Sequence, residues 1–352
     1  MPFETAKKIV NFGFQKAPSG QTIDFSFFGG EPLLCFKLIQ NLTRYIREKE
    51  SESGKPVRLS MTTNGTLLTE KKLVFLREQD IDLCISIDGP QHIHDLNRLY
   101  ADGCGSFADV MEKLELAKKN LNSFQVNAVY GPRTLSHLPE TLDFFCKIGA
   151  SSIHLNPDIS ATWQGWSYAK IVKVFEKVAR YYVQNYQRKN ELALNIIDNK
   201  IVLFLKGGYD KADKCGMGKT EWGFSPDGSI YPCERFVGKE TTSPLCLGNI
   251  NGEIDNARLG IVREHTGNND RKCHTCSYQR YCMNWCGCTN YFMAGKTDST
   301  SQFLCNSERA TIDVSKQVFL SLEEDPLFLE HFWNYLNEEH AKVLRKARLD
   351  VR

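Results

Sequence analysis

The sequence predicts an α/β protein built on an open, incomplete barrel, with a cysteine-rich region after it. Three observations predict it. Helix-period segments alternate with short β-like runs through the first half of the chain. Several of those runs carry one apolar face and one polar face. Cysteines are scattered early and crowded late.

Helical periodicity covers 3–16 (Phe3, Ala6, Ile9, Val10), 33–49 (Leu38, Ile39, Leu42), 69–78, 106–119 (Phe107, Val110, Leu114) and 135–148. Between these segments lie "IDFSFF", "VRLSMT", "IDLCISI", "FQVNAVY" and "SSIHLNP". This alternation implies a parallel sheet with right-handed crossovers, which a Rossmann sheet and a (β/α) barrel both satisfy. In 81–88, Ile81, Leu83, Ile85 and Ile87 oppose Asp82, Cys84, Ser86 and Asp88, because strand side chains alternate with period two. The runs 57–64 and 151–158 divide in the same way. A closed eight-stranded barrel fills its interior with bulky apolar groups. A polar interior therefore indicates an open barrel that holds a ligand; a half-buried sheet is the plain alternative. Beyond the strands, 168–190 reads as a helical bridge, with Trp163 and Trp166 before it expected in interdomain packing and a substrate groove as the alternative. Residues 311–352 read as a charged helical tail.

Composition narrows the function classes. The 352 residues are 41% hydrophobic and 24% charged, with a formal net charge of +2. No apolar run approaches the ~20 residues of a membrane span, and the first residues lack a secretory pattern. Near-neutral charge gives no reason to expect nucleic acid or an anionic membrane as partner. A cytoplasmic location is the expectation. In that reducing setting, thirteen cysteines are expected as thiols or metal ligands rather than disulfides.

Cys35, Cys84, Cys104, Cys146 and Cys246 read as isolated small apolar residues. The others form a pattern. Cys215 is followed by Gly228 and Cys233, then by Cys273, Cys276, Cys282 and Cys286 at spacings x2, x5 and x3, and finally by Cys305, with Cys288 as an extra. Zinc and iron–sulfur clusters both take four thiolates from short spacings such as C-x2-C, so the run itself leaves both open.

The strand ends carry the remaining signals. "FFGGEPLL" closes one run with Gly29, Gly30 and Glu31. The glycines let backbone approach a ligand and the carboxylate suits an ammonium; a turn before a Pro32 helix start is the alternative. "TTNG" closes the next run and "SIDGP" the third, with Arg98 twelve residues after Ser86. Strand C-termini are where barrel enzymes place active sites. "GMGKT" is not a phosphate loop, since Asp213 stands at the first glycine position. His92 and His94, near a turn, are expected to be solvated.

In this order, the motifs resemble the radical SAM superfamily. "FFGGEPLL" looks like its Gly-Gly-Glu motif, and "MTTNG" and "SIDGP" with "HDLNR" are similar to strand ends of its peptide- and protein-modifying members. "CGMGKTEWGFSPDGSIYPC", the C-x2-C-x5-C-x3-C run and Cys305 resemble the SPASM auxiliary-cluster pattern of sulfatase-maturating enzymes and ribosomal-peptide maturases. The resemblance implies a partial (β/α)6 TIM-like barrel missing its first strand (1–160). A helical bridge (161–212), a SPASM iron–sulfur domain (213–310) and a C-terminal helical tail (311–352) would follow. It implies two auxiliary [4Fe–4S] clusters, one on Cys215, Cys233 and Cys286, the other on Cys273, Cys276, Cys282 and Cys305. It implies S-adenosylmethionine bound by Gly29, Gly30 and Glu31 at the methionyl amine, and by Ser86, Arg98 and Asn64 toward the ribose and carboxylate. The implied function is hydrogen abstraction from a peptide or protein, leading to a crosslink or an oxidised side chain. A flavodoxin- or ferredoxin-type donor would serve it, and a leader-peptide-binding protein would be encoded separately.

The sequence departs from the pattern in three places. The C-x3-C-x2-C triplet that holds the family's SAM-cleaving [4Fe–4S] cluster occurs nowhere in the 352 residues. That cluster is expected only in a longer form, of which this chain would be a part, and SAM cleavage is not expected of the chain as it stands. The other expectation is a non-enzymatic iron–sulfur protein that binds a peptide or partner, with a zinc scaffold as a third. Residues 216–227 lack the further cysteine usual in sulfatase maturases. The first auxiliary cluster is then expected to present an open iron to a substrate cysteine, unless Cys288 or Glu221 fills the position. Glu234 stands where those enzymes carry an Asp proposed as base; pairing with Arg235 or Lys239 is the alternative.

Overall fold

The computed structural model describes residues 1–210, 213–238, 245–264 and 271–333. Six strands form one parallel sheet in sequence order: β1 (Ile23–Phe27), β2 (Val57–Thr63), β3 (Ile81–Ser86), β4 (Gln125–Tyr130), β5 (Ser152–Pro157) and β6 (Ala193–Leu194). Helices α1 (Phe3–Lys16), α2 (Phe36–Ser53), α3 (Glu70–Glu78), the short α4 (Gln91–His94), α5 (Phe107–Asn120), α6 (Leu138–Lys147), α7 (Tyr168–Gln187) and α8 (Asn195–Lys206) alternate with them. The alternating βα order with an open parallel sheet is the expected partial (β/α)6 barrel.

The strand alternation explains the layering. Leu59, Met61, Leu83, Ile85, Val126, Ala128, Ile153 and Leu155 are buried under the helices. Each such side chain contributes about 1.5–3 kcal/mol relative to exposure. In α1, Ala6, Val10 and Phe14 recur at four-residue spacing and turn into the same core. Helix ends follow local chemistry. Thr69 caps α3 by accepting from the Lys72 amide at 3.4 Å, and Gly54 ends α2 in the left-handed conformation.

The stretch expected as a helical bridge does more than bridge. It contributes β6, which pairs with β5 through Ser152–Ala193 and Ile153–Leu194, so the barrel sheet runs past residue 160. Two residues of strand are too short for a sequence pattern to reveal.

The cysteine-rich part has its own small antiparallel sheet of β7 (Gly223–Phe224), β8 (Ser229–Tyr231) and β9 (Gly248–Asn249). Helices α9 (Asn256–Glu264), α10 (Arg271–His274) and α11 (Gly287–Ala294) complete it. Its core gathers Met217, Ile230, Tyr231, Phe236, Leu247 and Leu259. It packs on α1: the Phe12 ring meets Trp222 at 5.2 Å and Phe224 at 5.6 Å, and Lys8 donates to Asn251 at 2.9 Å.

Helix α12 (Gln302–Leu322) then returns to pack on α7 and α8, followed by α13 (Pro326–Trp333). Trp163 stacks on Phe303 of α12 at 3.7 Å and donates to the Asp158 carbonyl at 2.8 Å, which places it in the packing role expected. The expected tail beyond residue 333 lies outside the described residues. No helix among the described residues is long and apolar enough to cross a membrane.

Candidate functional site

The polar strand faces converge on the concave side of the sheet. Parallel register sets Asp24 beside Arg58, Ser26 beside Ser60, Ser86 beside Asn127 and Asn127 beside His154. Asn156 donates to Asn127 at 2.7 Å across that face. Burial lowers the His154 pKa, so its imidazole is neutral near pH 7.

The C-terminal ends of β1 and β2 are stitched by Glu31. One of its oxygens accepts from the Leu33 amide (3.0 Å) and the Thr63 hydroxyl (2.7 Å); the other accepts from the Asn64 amide (2.8 Å). Glu31 is thus also the cap of the short 3-10 turn Pro32–Cys35, the alternative weighed for it. Gly29 has φ +145°, a conformation open only to glycine, and no atom lies within 4 Å of where a Cβ would stand at Gly29 or Gly30. This leaves a carboxylate beside exposed backbone. Asn64 accepts from the Thr66 amide (3.0 Å) and hydroxyl (2.8 Å) through Oδ1, so the group it offers a ligand is its amide nitrogen.

The end of β3 is fixed by a different network. Arg98 contacts Asp88 at 2.9 and 2.8 Å, and Asp88 also accepts from the Val129 amide at 2.9 Å. His94 corrects the expectation of a solvated pair. It is fully buried, while only His92 is exposed. The Asp88 amide donates to its Nδ1 (3.3 Å), its Nε2 meets the Ser106 hydroxyl (3.0 Å), and that hydroxyl donates to the Arg98 carbonyl (2.9 Å). Burial pulls the His94 pKa down to about 4, so the ring is neutral with its proton on Nε2. Asp88 before it and Ser106 and Phe107 after it enclose the ring, an arrangement the turn signal alone does not reveal. Ser86 is itself nearly buried, on the concave face.

The cysteines gather in two places. In the first, the Cys286 and Cys288 sulfurs lie 3.4 Å apart, and Cys288 hydrogen-bonds with Cys233. Cys215 lies near enough to Cys286 and Glu221 for their charges, added to burial, to push its thiol up to about 11. The hydrogen bond to Cys233 leads the causes that raise Cys288 to about 12. Burial opposes the Arg235 charge, but Cys288, Cys286, Glu234 and Cys233 outweigh it and hold the guanidinium above its ordinary pKa. Glu234 accepts from the Cys233 thiol at 3.2 Å and lies 4.0 Å from Arg235; Lys239 lies outside the described residues. Burial also raises the Glu221 carboxyl, followed by the charges of Glu234 and of Asp24 at the start of β1. Trp222, next to Glu221 in the chain, packs on Phe12 of α1, so the loop that follows Cys215 lies against the barrel.

In the second place, Cys282 lies near enough to Glu308 and Cys305 to feel their charges. The nearly buried pair Lys200–Glu308 (2.8 Å) anchors this loop: Lys200 donates to the Tyr281 carbonyl (2.9 Å) and Glu308 accepts from the Met283 amide (2.6 Å). Burial and Glu308 raise the Cys282 thiol. Cys276 follows Cys273 in one turn, with a 3.2 Å backbone bond. Sequence reasoning missed Lys200 and Glu308. Glu308 sits one helical turn after Cys305, which is a legible signal; Lys200, 108 residues away from it, gives none.

The donor sets fit the groups expected. Grouped soft thiols suit iron–sulfur or zinc, although Glu234, Glu221 and Glu308 lie beside them. The glycine-flanked carboxylate on the concave face fits an ammonium-bearing ligand such as S-adenosylmethionine.

The open parallel barrel with this strand-end cradle is a radical SAM domain: residues 5–145 match the Radical SAM superfamily. The chain is homologous to anaerobic sulfatase-maturating enzymes. It is 25% identical over 252 residues to the cysteine-type enzyme of Clostridium perfringens (strain ATCC 13124), covering 69% of this chain and 63% of that one. It is 24% identical over 303 residues to the cysteine-type enzyme of Clostridium novyi (strain NT), covering 81% and 78%. The alignment thus spans less than two thirds of the Clostridium perfringens relative. The solved structure of native anSMEcpe with bound AdoMet and Kp18Cys peptide shares the fold, with a TM-score of 0.73 at 21% identity, covering 92% of this chain and 90% of that one.

Proposed function

We propose that the chain is a radical SAM maturase of the sulfatase-maturating kind, acting in the cytoplasm on a peptide or protein by crosslink formation or side-chain oxidation. What carries the reading is a thiol group, with Cys288 3.4 Å from Cys286 and hydrogen-bonded to Cys233, in a unit packed on helix α1 of a barrel that matches the Radical SAM superfamily. Residues 213–310 serve as a SPASM-type domain with two auxiliary [4Fe–4S] clusters, the second on Cys273, Cys276, Cys282 and Cys305.

The chain's own residues bind and orient. Gly29 and Gly30 leave room for the methionyl group, and Glu31 holds its ammonium with lone pairs its three protein donors leave over. The Asn64 amide and Ser86 hydroxyl face the ribose and carboxylate. Arg98, braced by Asp88, supplies the fixed positive charge. Reduced by a cluster, S-adenosylmethionine supplies hydrogen-atom abstraction from carbon. Glu234, half exposed beside Cys233, is the candidate base for the substrate proton. A flavodoxin- or ferredoxin-type donor delivers electrons.

The 352 residues contain no C-x3-C-x2-C. The chain by itself is therefore expected to bind S-adenosylmethionine and hold its auxiliary clusters, yet to form no 5′-deoxyadenosine. The test is anaerobic reconstitution with iron and sulfide, followed by metal analysis and calorimetry with S-adenosylmethionine. Iron and sulfide for two clusters with saturable ligand binding supports the proposal. Zinc uptake without iron, or no ligand binding, would sink it. Iron uptake without ligand binding favours a non-enzymatic iron–sulfur protein that holds a peptide or partner.

A further inference from the structure

We propose that Cys288 is the fourth thiolate of the cluster site formed by Cys215, Cys233 and Cys286, so that the first auxiliary cluster is closed. The proposal rests on the iron–sulfur reading of the chain. It replaces the expectation of an open iron awaiting a substrate cysteine.

Three observations carry it. Cys288 sits between two of the other donors, 3.4 Å from the Cys286 sulfur and hydrogen-bonded to Cys233. It is only 3% exposed, so it is poorly placed to meet a substrate as a free thiol. The Cys-Gly-Cys turn is built to bring both sulfurs to one end of α11. Cys286 takes an extended conformation as its N-cap, and Cys288 follows inside the first turn. A Cβ at Gly287 would stand 2.7 Å from the Met217 Cε, so glycine lets this turn lie flat against the loop that carries Cys215.

The surroundings suit an anionic site. The Arg235 guanidinium donates to Thr289 at 2.9 Å, next to Cys288, and places positive charge beside the thiolates. Cys246, the other buried cysteine of this core, is directed elsewhere: its thiol donates to the Gly248 carbonyl at 3.7 Å. Glu221 is the competing donor, exposed near Cys215. On cluster assembly each thiol loses its proton to water as its sulfur–iron bond forms, with iron and sulfide supplied from solution.

The experiment uses the full 352-residue chain, reconstituted anaerobically with equal amounts of ferric and ferrous iron and with sulfide, which together match the oxidation level of a [4Fe–4S]2+ cluster. Wild type, Cys288→Ala, Cys288→Ser and the exposed control Cys104→Ala are compared by iron and sulfide content and by electron paramagnetic resonance after reduction. Electron-nuclear double resonance with 13C-cyanide then probes for an iron that lacks a cysteine. The wild type and Cys104→Ala should bind no cyanide at a cluster iron. Cys288→Ala should either lose up to half the iron with its circular dichroism retained, or keep it and show a cyanide coupling. Cys288→Ser should shift the g-values of one of two clusters.

A cyanide coupling already present in the wild type overturns the proposal. So do Ala and Ser variants indistinguishable from wild type, an outcome that directs attention to Glu221. If Cys288→Ala does not fold, the Ser variant and the wild-type cyanide measurement decide. Failure of the wild type to take up iron overturns the iron–sulfur reading and the ligand assignment with it, and is distinct from iron uptake that ignores Cys288.

Discussion

Arg98 holds Asp88 at two points, Nη2 2.9 Å from Oδ1 and Nε 2.8 Å from Oδ2, although the Nε contact is ionic rather than an aligned hydrogen bond. The Asp88 side chain is only 5% exposed and the Arg98 side chain 23%. Removing the guanidinium leaves a buried carboxylate that still accepts from the Val129 amide. Arg98→Met is therefore expected to cost about 3–5 kcal/mol in urea denaturation. Arg98→Lys keeps the charge but loses the fork, and should cost less. A Met variant as stable as wild type would show that the pair does not brace the β3 end.

Glu31 accepts from three protein donors with its two oxygens. Glu31→Gln puts an NH2 group against at least one of those donors and removes the charge. The expected loss is about 1–3 kcal/mol of stability. If Glu31 also holds the methionyl ammonium, calorimetry should show a weakening of S-adenosylmethionine binding larger than that of Thr63→Val, which removes only one donor. Equal effects in the two variants would confine Glu31 to capping.

His94 gives a pH signature. Its pKa falls to about 4 in the folded chain, chiefly by burial, against an ordinary 6.5. The unfolded chain binds the proton first as pH drops, so stability is retained above about pH 6.5 and lost toward pH 4. The loss is on the order of 3 kcal/mol. His94→Gln should lack this increment in denaturation curves across that window. Parallel pH profiles for variant and wild type would rule out a buried neutral His94.

Lys200 and Glu308 form a pair with 5% and 11% side-chain exposure that fixes the carbonyl of Tyr281 and the amide of Met283 on either side of Cys282. Lys200→Ala leaves Glu308 charged and buried, and should cost about 3–5 kcal/mol. It should also loosen Cys282 and reduce iron retained after chelator challenge. The double variant Lys200→Met/Glu308→Leu should recover stability but not iron retention, because the bond to the Met283 amide is gone. Full retention in the double variant would show that the pair is a packing feature alone.

What the sequence determined by itself is periodic or local. The alternation of 3.6- and 2-residue periods placed α1, α3, α5 and α6 and five of the six strands, because each must bury one face on a shared core. The cysteine spacings and the strand-end glycines marked the candidate thiol and ligand positions, since these signals lie within a few residues. The tertiary structure decided what depends on distant partners. It added β6 by pairing with β5, enclosed His94 against Ser106 and Phe107, and brought Lys200 from α8 to Glu308 on α12. It also set Cys288 between Cys233 and Cys286, where spacing alone left it as an extra cysteine. Side chains separated by tens of residues meet only when the core packs, and no local periodicity encodes which of them will share a buried charge or a hydrogen bond.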